Sequence, residues 1–360
     1  MPAQPTSNAG AAPAAAPAGG VPSHGLSPAL SDAIRVMRLP LLLGPLLVHA
    51  CLAPQRSLLQ YVLARIIGDV SVPAFFFVSG LLYFSTFDGT LRCYLRKLQS
   101  RLRSLAIPYL LWNLIGYFLL AYAVHMVAKG DFLKSFWGVR VAYRSVATAP
   151  VDGPLYFIKG LFFLAIAAPA AYWALRRRML AWFAPAAVIF WIASPISALA
   201  DRMAVVAVAM FSLGGFFALR LPNYLAQLTT SPRAATAAIV AFLASAAVNI
   251  ALHASGIDFA PALRLNILLG IPAWFAVAGM LSRGGAAPLL RRAQGFAMFL
   301  FCSFDLIIAF SRKLWHPLRA QTDAMCLKVA LMTFAVSLAL YLLLSLVARP
   351  LLRLLVGDRR

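Results

Sequence analysis

Arg38 and His49 lie in a single apolar run, Arg38-Leu-Pro-Leu-Leu-Leu-Gly-Pro-Leu-Leu-Val-His49, with ten residues between them. In a helix, eleven steps of ~100° end about 20° beyond three full turns, so both side chains share one face, ~16 Å apart along the axis. Pro40 and Pro45 fall between them and can bend the helix, because each removes a backbone donor. A guanidinium at one end of such a face suits an anionic phosphate, which it grips with a planar fork of donors. A neutral imidazole deeper along the face suits removal of a proton from an acceptor hydroxyl near neutral pH. The plainer reading is an interfacial arginine and a hydrogen-bonded packing histidine, and spacing alone does not choose between the two.

Three further ionisable residues, Lys159, Asp305 and Lys328, fall inside apolar runs. Such groups are costly in hydrocarbon and are functional candidates for that reason. The two lysines also suit snorkelling to an interface, and Asp305 suits pairing with one of them. All ten acids are Asp, so no Glu can partner His49. Asp69 and Asp152 are alternative carboxylates for orienting the imidazole, although Asp69 equally suits a helix cap and Asp152 a turn at Asp-Gly-Pro. Ser79 lacks the Gly-x-Ser-x-Gly surroundings of a nucleophile elbow and reads as a small residue for close helix packing. Cys51, Cys93, Cys302 and Cys326 form no CxxC pair or Cys/His cluster; core packing is expected of each, and no metal site.

These residues need a scaffold, and composition says which. Of 360 residues 62% are apolar and 12% charged, about half the charge of an ordinary soluble domain, and the mean hydropathy is +0.84. That excludes a soluble globular chain, a disordered chain and a disulfide scaffold. The predicted fold is an all-α, polytopic membrane bundle. Its spans fall at about 36–53, 70–86, 105–128, 154–175, 179–199, 203–219, 234–254, 262–281, 294–310 and 325–348, ten in all. The pair 179–199 and 203–219 is split only by a short turn with Asp201 and Arg202. Residues 1–30, rich in Ala, Pro and Gly, read as a disordered tail without signal-peptide character. Residues 31–348 form the transmembrane domain, and 349–360 read as a basic tail.

The net charge of +22 fits arginine-rich cytoplasmic loops better than a nucleic-acid partner, which is not expected. Alternating the loops between the two sides puts seventeen Lys and Arg on one side and eleven on the other. Arg35 and Arg38 join the richer side, so both termini are predicted in the cytoplasm. His49, Lys159, Asp305 and Lys328 then fall in the outer half of the membrane. The longest outer loop, about 129–153, carries Trp137, Tyr143 and Asp152, which suit either a polar substrate or an interfacial anchor.

The Arg-x10-His pattern resembles the signature of the integral-membrane acyltransferase 3 family. Val72-Pro-Ala-Phe-Phe-Phe-Val-Ser-Gly80 is similar to that family's second span. Arg101-Leu-Arg103 followed by Pro108-Tyr-Leu-Leu-Trp112 resembles its basic stretch leading into the third, and Gly153-Pro-Leu-Tyr-Phe157 the opening of its fourth. The resemblance covers about residues 31–310. One departure stands out: Phe310 occupies the place where many members carry a second histidine, and Asp305, in the same stretch, is a candidate substitute.

The resemblance implies O-acyl transfer, usually of acetyl from acetyl-CoA, onto a sugar hydroxyl of a surface polysaccharide or glycolipid. His49 would be the base, and Arg38, Arg101 and Arg103 the cations on the CoA side. Asp69, Asp152, Asp305 and Lys159 are candidate supports. The chain is most similar to stand-alone exopolysaccharide O-acetyltransferases of the bacterial inner membrane. Its expected partners are acetyl-CoA, a polysaccharide or lipid-linked oligosaccharide acceptor and the bilayer, and no bound cofactor is expected. The alternative from another class is a transporter or flippase of a lipid-linked saccharide. Transporters often show internal repeats with broken helices in matching positions, and no such repeat is evident. A glycan polymerase, usually built with a large polar outer loop, fits the short 129–153 segment less well.

Overall fold

The computed structural model describes residues 25–51, 57–128, 153–194, 199–314 and 322–357. Among these residues the chain is helical throughout, without a strand. Nine helical stretches among the described residues are long and apolar enough to cross a membrane. Helix α1 spans Pro28–Ala50, started by Pro at its first position and by Ser27, whose hydroxyl accepts from the Leu30 amide at 3.3 Å. Helix α2 runs over Leu58–Phe84. Helix α3 begins as Leu91–Arg101 and continues through a π-helical turn as Ile107–Ala128. Then come α4 (Tyr156–Arg176), the short α5 (Phe183–Ala193) and α6 (Leu199–Arg220). After these follow α7 (Pro222–Thr230), α8 (Pro232–Ala254), α9 (Ala260–Arg283) and α10 (Ala287–Arg292). The chain closes with α11 (Gln294–Leu314), α12 (Asp323–Val347) and α13 (Arg349–Val356).

The stretch expected as a span at 179–199 forms a helix that is not among these nine. Its apolar stretch, Leu180–Ala193, rises only ~21 Å against a hydrocarbon core of ~30 Å. Arginines tie the two ends of the bundle around it. At one end Arg220 donates to the Leu175 and Arg176 carbonyls at 2.8–3.2 Å. At the other, Arg264 Nη1 donates to the carbonyls of Trp191, Ile192 and Ser194 at 2.6–3.1 Å. The remaining ties sort in the same way. Arg38–Gln294, Asp32–Arg291 and Arg283–Thr229 lie at the first end. His49–Asp305, Gln60–Asp323 and the Tyr61–His253 stack lie toward the second. The N-terminal side of α1 and helix α13 therefore share one end of the bundle.

Two expectations change. Helix α2 starts about twelve residues earlier than the predicted span at 70, so Asp69 sits inside a helix rather than capping one. The polar residues that hid this start are satisfied locally. Arg65 and Asp69 pair at 2.7 Å one turn apart, and Gln60 Nε2 donates to Asp323 at 3.0 Å. The basic stretch before the third span is also not a loop. It is an amphipathic helix, capped by the Thr90 hydroxyl, which accepts from the Cys93 amide at 3.1 Å.

Close backbone crossings set the positions of the long helices. A Cβ on Gly80 would come within 2.0 Å of the Phe211 carbonyl, and one on Gly214 within 2.0 Å of the Phe77 carbonyl. Helices α2 and α6 thus meet backbone to backbone through reciprocal glycines, the way small residues let helices approach in lipid. The core fills the spaces between with phenyl rings; Phe76, Phe77, Phe84, Phe275, Phe299 and Phe304 are all buried.

Candidate active site

His49 and Arg38 point to two different environments along α1. His49 Nδ1 lies 2.8 Å from Asp305 Oδ1 of α11, with the two side chains 27% and 28% exposed. The His49 ring meets Phe304 edge-on at 5.1 Å between centroids. An ionised carboxylate can only accept, so a pair with Asp305 ionised puts the proton on Nδ1 and the lone pair on Nε2. That tautomer is the one a general base needs. The other Asp305 oxygen faces the opening of α4, where a Cβ on Gly153 would stand 3.5 Å away. Glycine there lets the chain pass beside the pair.

Just beyond His49 the same end is tied covalently. Cys51 and Cys326 form a disulfide that links α1 to the start of α12 across 275 residues of sequence, with their Cα atoms 5.1 Å apart. This corrects the expectation that all four cysteines only pack the core. Cys93 and Cys302 do so, as buried thiols. Ser57 donates to Asp323 beside this link. Isolated spacing gave no hint of the bond, since the partners meet only through the fold.

At the opposite end lies a cavity of ≈ 810 Å³, within the size range of small-molecule sites. Arg38, Arg101, Arg291 and Arg292 line it with Ser104 and Gln294, and apolar residues of α1, α2, α4 and α11 form its depth. Arg38 Nη1 donates to Gln294 Oε1 at 2.9 Å, which fixes the guanidinium at the wall. Arg291 forks onto Asp32 with bonds of 2.8 and 2.7 Å; this carboxylate holds the guanidinium above its ordinary value. Helix α13 closes one side. The Trp112 indole donates to the Leu355 carbonyl at 3.1 Å, and Val356 and Gly357 reach the cavity wall. Gly357 takes φ +64° and rests on the Ser104 backbone, a position that favours glycine. Beside the cavity, Ser79, Tyr83 and Arg101 line a second void of ≈ 10 Å³, room for about one water, and the buried Tyr83 hydroxyl has no hydrogen-bond partner among the described residues.

The sequence-derived site residues therefore divide. His49 and Asp305 meet, and Arg38 and Arg101 share a cavity. Arg103 is exposed and does not line that cavity. Asp69 pairs with Arg65, Lys159 is half-buried in the first turn of α4, and Asp152 lies outside the described residues, as does most of the 129–153 loop. Arg291, Arg292, Ser104 and Gln294 were not singled out from sequence. The adjacent arginines were legible as charge, but only folding brings α10 and the start of α11 against Arg38. Among the described residues no cluster of metal-ligating side chains occurs.

What this arrangement can do is hold a polyanion at one end and remove a proton at the other. No curated protein and no solved structure matches the chain. A family model described as an acyltransferase domain, Acyl_transf_3, does match, over residues 33–349 that include both ends of the site, and the chain belongs to that family.

Proposed function

We propose that this protein transfers an acetyl group from acetyl-CoA to a sugar hydroxyl of an exopolysaccharide or its lipid-linked precursor, in a bacterial inner membrane. The observation that carries the reading is the 2.8 Å contact between His49 Nδ1 and Asp305. His49 Nε2 takes the proton of the acceptor hydroxyl as its oxygen attacks the thioester carbonyl. The new C–O bond forms and the C–S bond breaks; the proton passes to the departing CoA sulfur, which leaves as the thiol. Asp305 acts through His49, fixing its tautomer and stabilising the imidazolium that forms transiently. The phosphates of CoA suit the mouth formed by Arg38, Arg101, Arg291 and Arg292, and the pantetheine arm suits the apolar depth.

Two features support an orientation with the arginine end in the cytoplasm. One is the excess of basic residues on that side. The other is the disulfide at the His49 end, since such bonds persist in oxidising compartments. The donor would then enter from the cytoplasm, and the chemistry would lie toward the outer half of the membrane.

The test is direct. Membranes with and without the protein are given acetyl-CoA labelled in the acetyl group, and the extracted glycan is examined by mass spectrometry. An alkali-labile acetyl ester that depends on the protein supports the reading. Equal acetylation in both membranes, with loss of surface glycan when the protein is absent, would instead indicate a flippase.

A further inference from the structure

The cavity stops short of the catalytic pair, and its end is aromatic. On each contributing helix, the lining residue farthest from the arginines is Leu42 on α1, Phe75 on α2, Phe157 on α4 and Phe301 on α11. From Leu42 to His49 the helix rises a further ~10.5 Å and turns back to nearly the same face. The space between holds a chain of rings. Phe75 and Phe157 lie 5.9 Å apart, Phe157 and Phe301 5.5 Å, Phe301 and Phe304 6.1 Å, and Phe304 reaches His49 at 5.1 Å. We infer that Phe157 and Phe301 gauge the acyl group, admitting acetyl and excluding longer chains.

This inference rests on the reaction proposed above and adds the donor's chain length. With its phosphates held by the arginines, a thioester running down the cavity meets Phe157 and Phe301, in contact at 5.5 Å, at the end that faces His49. The acyl group leads the arm, so a longer tail meets these rings before its carbonyl can come toward His49. Those rings can turn but have little room to retreat. Phe157 is backed by Phe76 at 4.7 Å, and Phe301 by Phe304; Phe76 and Phe304 are 1% and 0% exposed. In an interior packed this densely, even one added methylene is felt. A methyl adds the least volume a carbon tail can, whereas each further carbon must displace an aromatic ring already held from behind.

The experiment uses the full-length protein in membranes with acetyl-, propionyl- and butyryl-CoA, each labelled in the acyl group, and reads label in the extracted glycan. One excess methylene is commonly worth ~10–200-fold, so the parent should favour acetyl over butyryl by at least ~100-fold. Phe157→Ala and Phe301→Ala should each shrink that ratio by at least ~tenfold. Phe163→Ala, an exposed ring on the same helix α4, should leave the ratio unchanged. Should the alanine variants fail to accumulate, Phe157→Leu and Phe301→Leu keep apolar volume without the flat ring and should shift the ratio in the same direction. A parent that uses butyryl as readily as acetyl overturns the gauge, as do variants whose ratio matches the parent's while acetyl transfer persists. A parent that transfers no acyl group from any thioester overturns the reaction itself, and the gauge with it.

Discussion

The two ends of α1 face opposite problems. At the Arg38 end, four arginines surround a wide cavity, and the polar work is spread over several side chains. At the His49 end, one imidazole and one carboxylate meet beside a disulfide and the bonds from Ser57 and Gln60 to Asp323. Binding a polyanion tolerates such spreading, because each charge adds a share of affinity. Proton transfer does not, because one atom must sit in one place with one tautomer. Losses at the arginine end should therefore be graded and appear in donor affinity. Losses at the histidine end should be steep and appear in turnover.

Asp305→Asn puts the steep end under test through the residue that does not itself take the proton. An amide can donate to Nδ1 and so favour the wrong tautomer; transfer should fall by about 10²-fold, within the worth of a general base, with donor affinity unchanged. The readout is the split between kcat and KM for acetyl-CoA. A rise in KM alone would move Asp305 into the binding machinery. At the graded end, Arg38→Ala removes a charge-assisted contact worth about 1.5–3 kcal/mol, or roughly tenfold to 150-fold in acetyl-CoA affinity. Arg38→Lys should recover only part, since an ammonium lacks the planar fork. The smallest effect separates two arginines that the sequence treats alike. Arg103 is exposed and outside the cavity wall, so Arg103→Ala should change donor affinity by no more than about twofold, as for an ordinary surface change. Arg101→Ala should behave like Arg38→Ala; equal losses at 101 and 103 would mean that donor binding extends beyond the cavity.

Much of the bundle was legible because lipid imposes long apolar runs, and among the described residues nine helices long enough to span fall where such runs were read. The start of α2 was not, because Arg65, Asp69 and Gln60 interrupt the apolar pattern and only their pairing shows why a helix tolerates them. The shared face of Arg38 and His49 follows from helical geometry, and α1 remains one helix through both prolines. Asp305 was visible as a costly charge in an apolar run. Its choice of His49 was not, because 256 residues separate the two and no local period connects them. The disulfide and the contribution of α10 to the cavity were hidden for the same reason. Asp69 shows the converse, a carboxylate well placed by sequence whose partner one turn away already claims it.

The claim that one residue does the chemistry while others hold the donor is tested most directly at His49, by measuring transfer and binding on the same membranes. His49→Asn keeps a hydrogen-bonding side chain that cannot take a proton at neutral pH. Label transfer from acetyl-CoA to glycan should fall by about 10²–10⁴-fold, while acetyl-CoA still binds with parental affinity and the protein is produced at parental levels. Near-parental transfer by His49→Asn would contradict the account and make His49 a positioning residue. Loss of donor binding in step with transfer would show that the two ends are not separate.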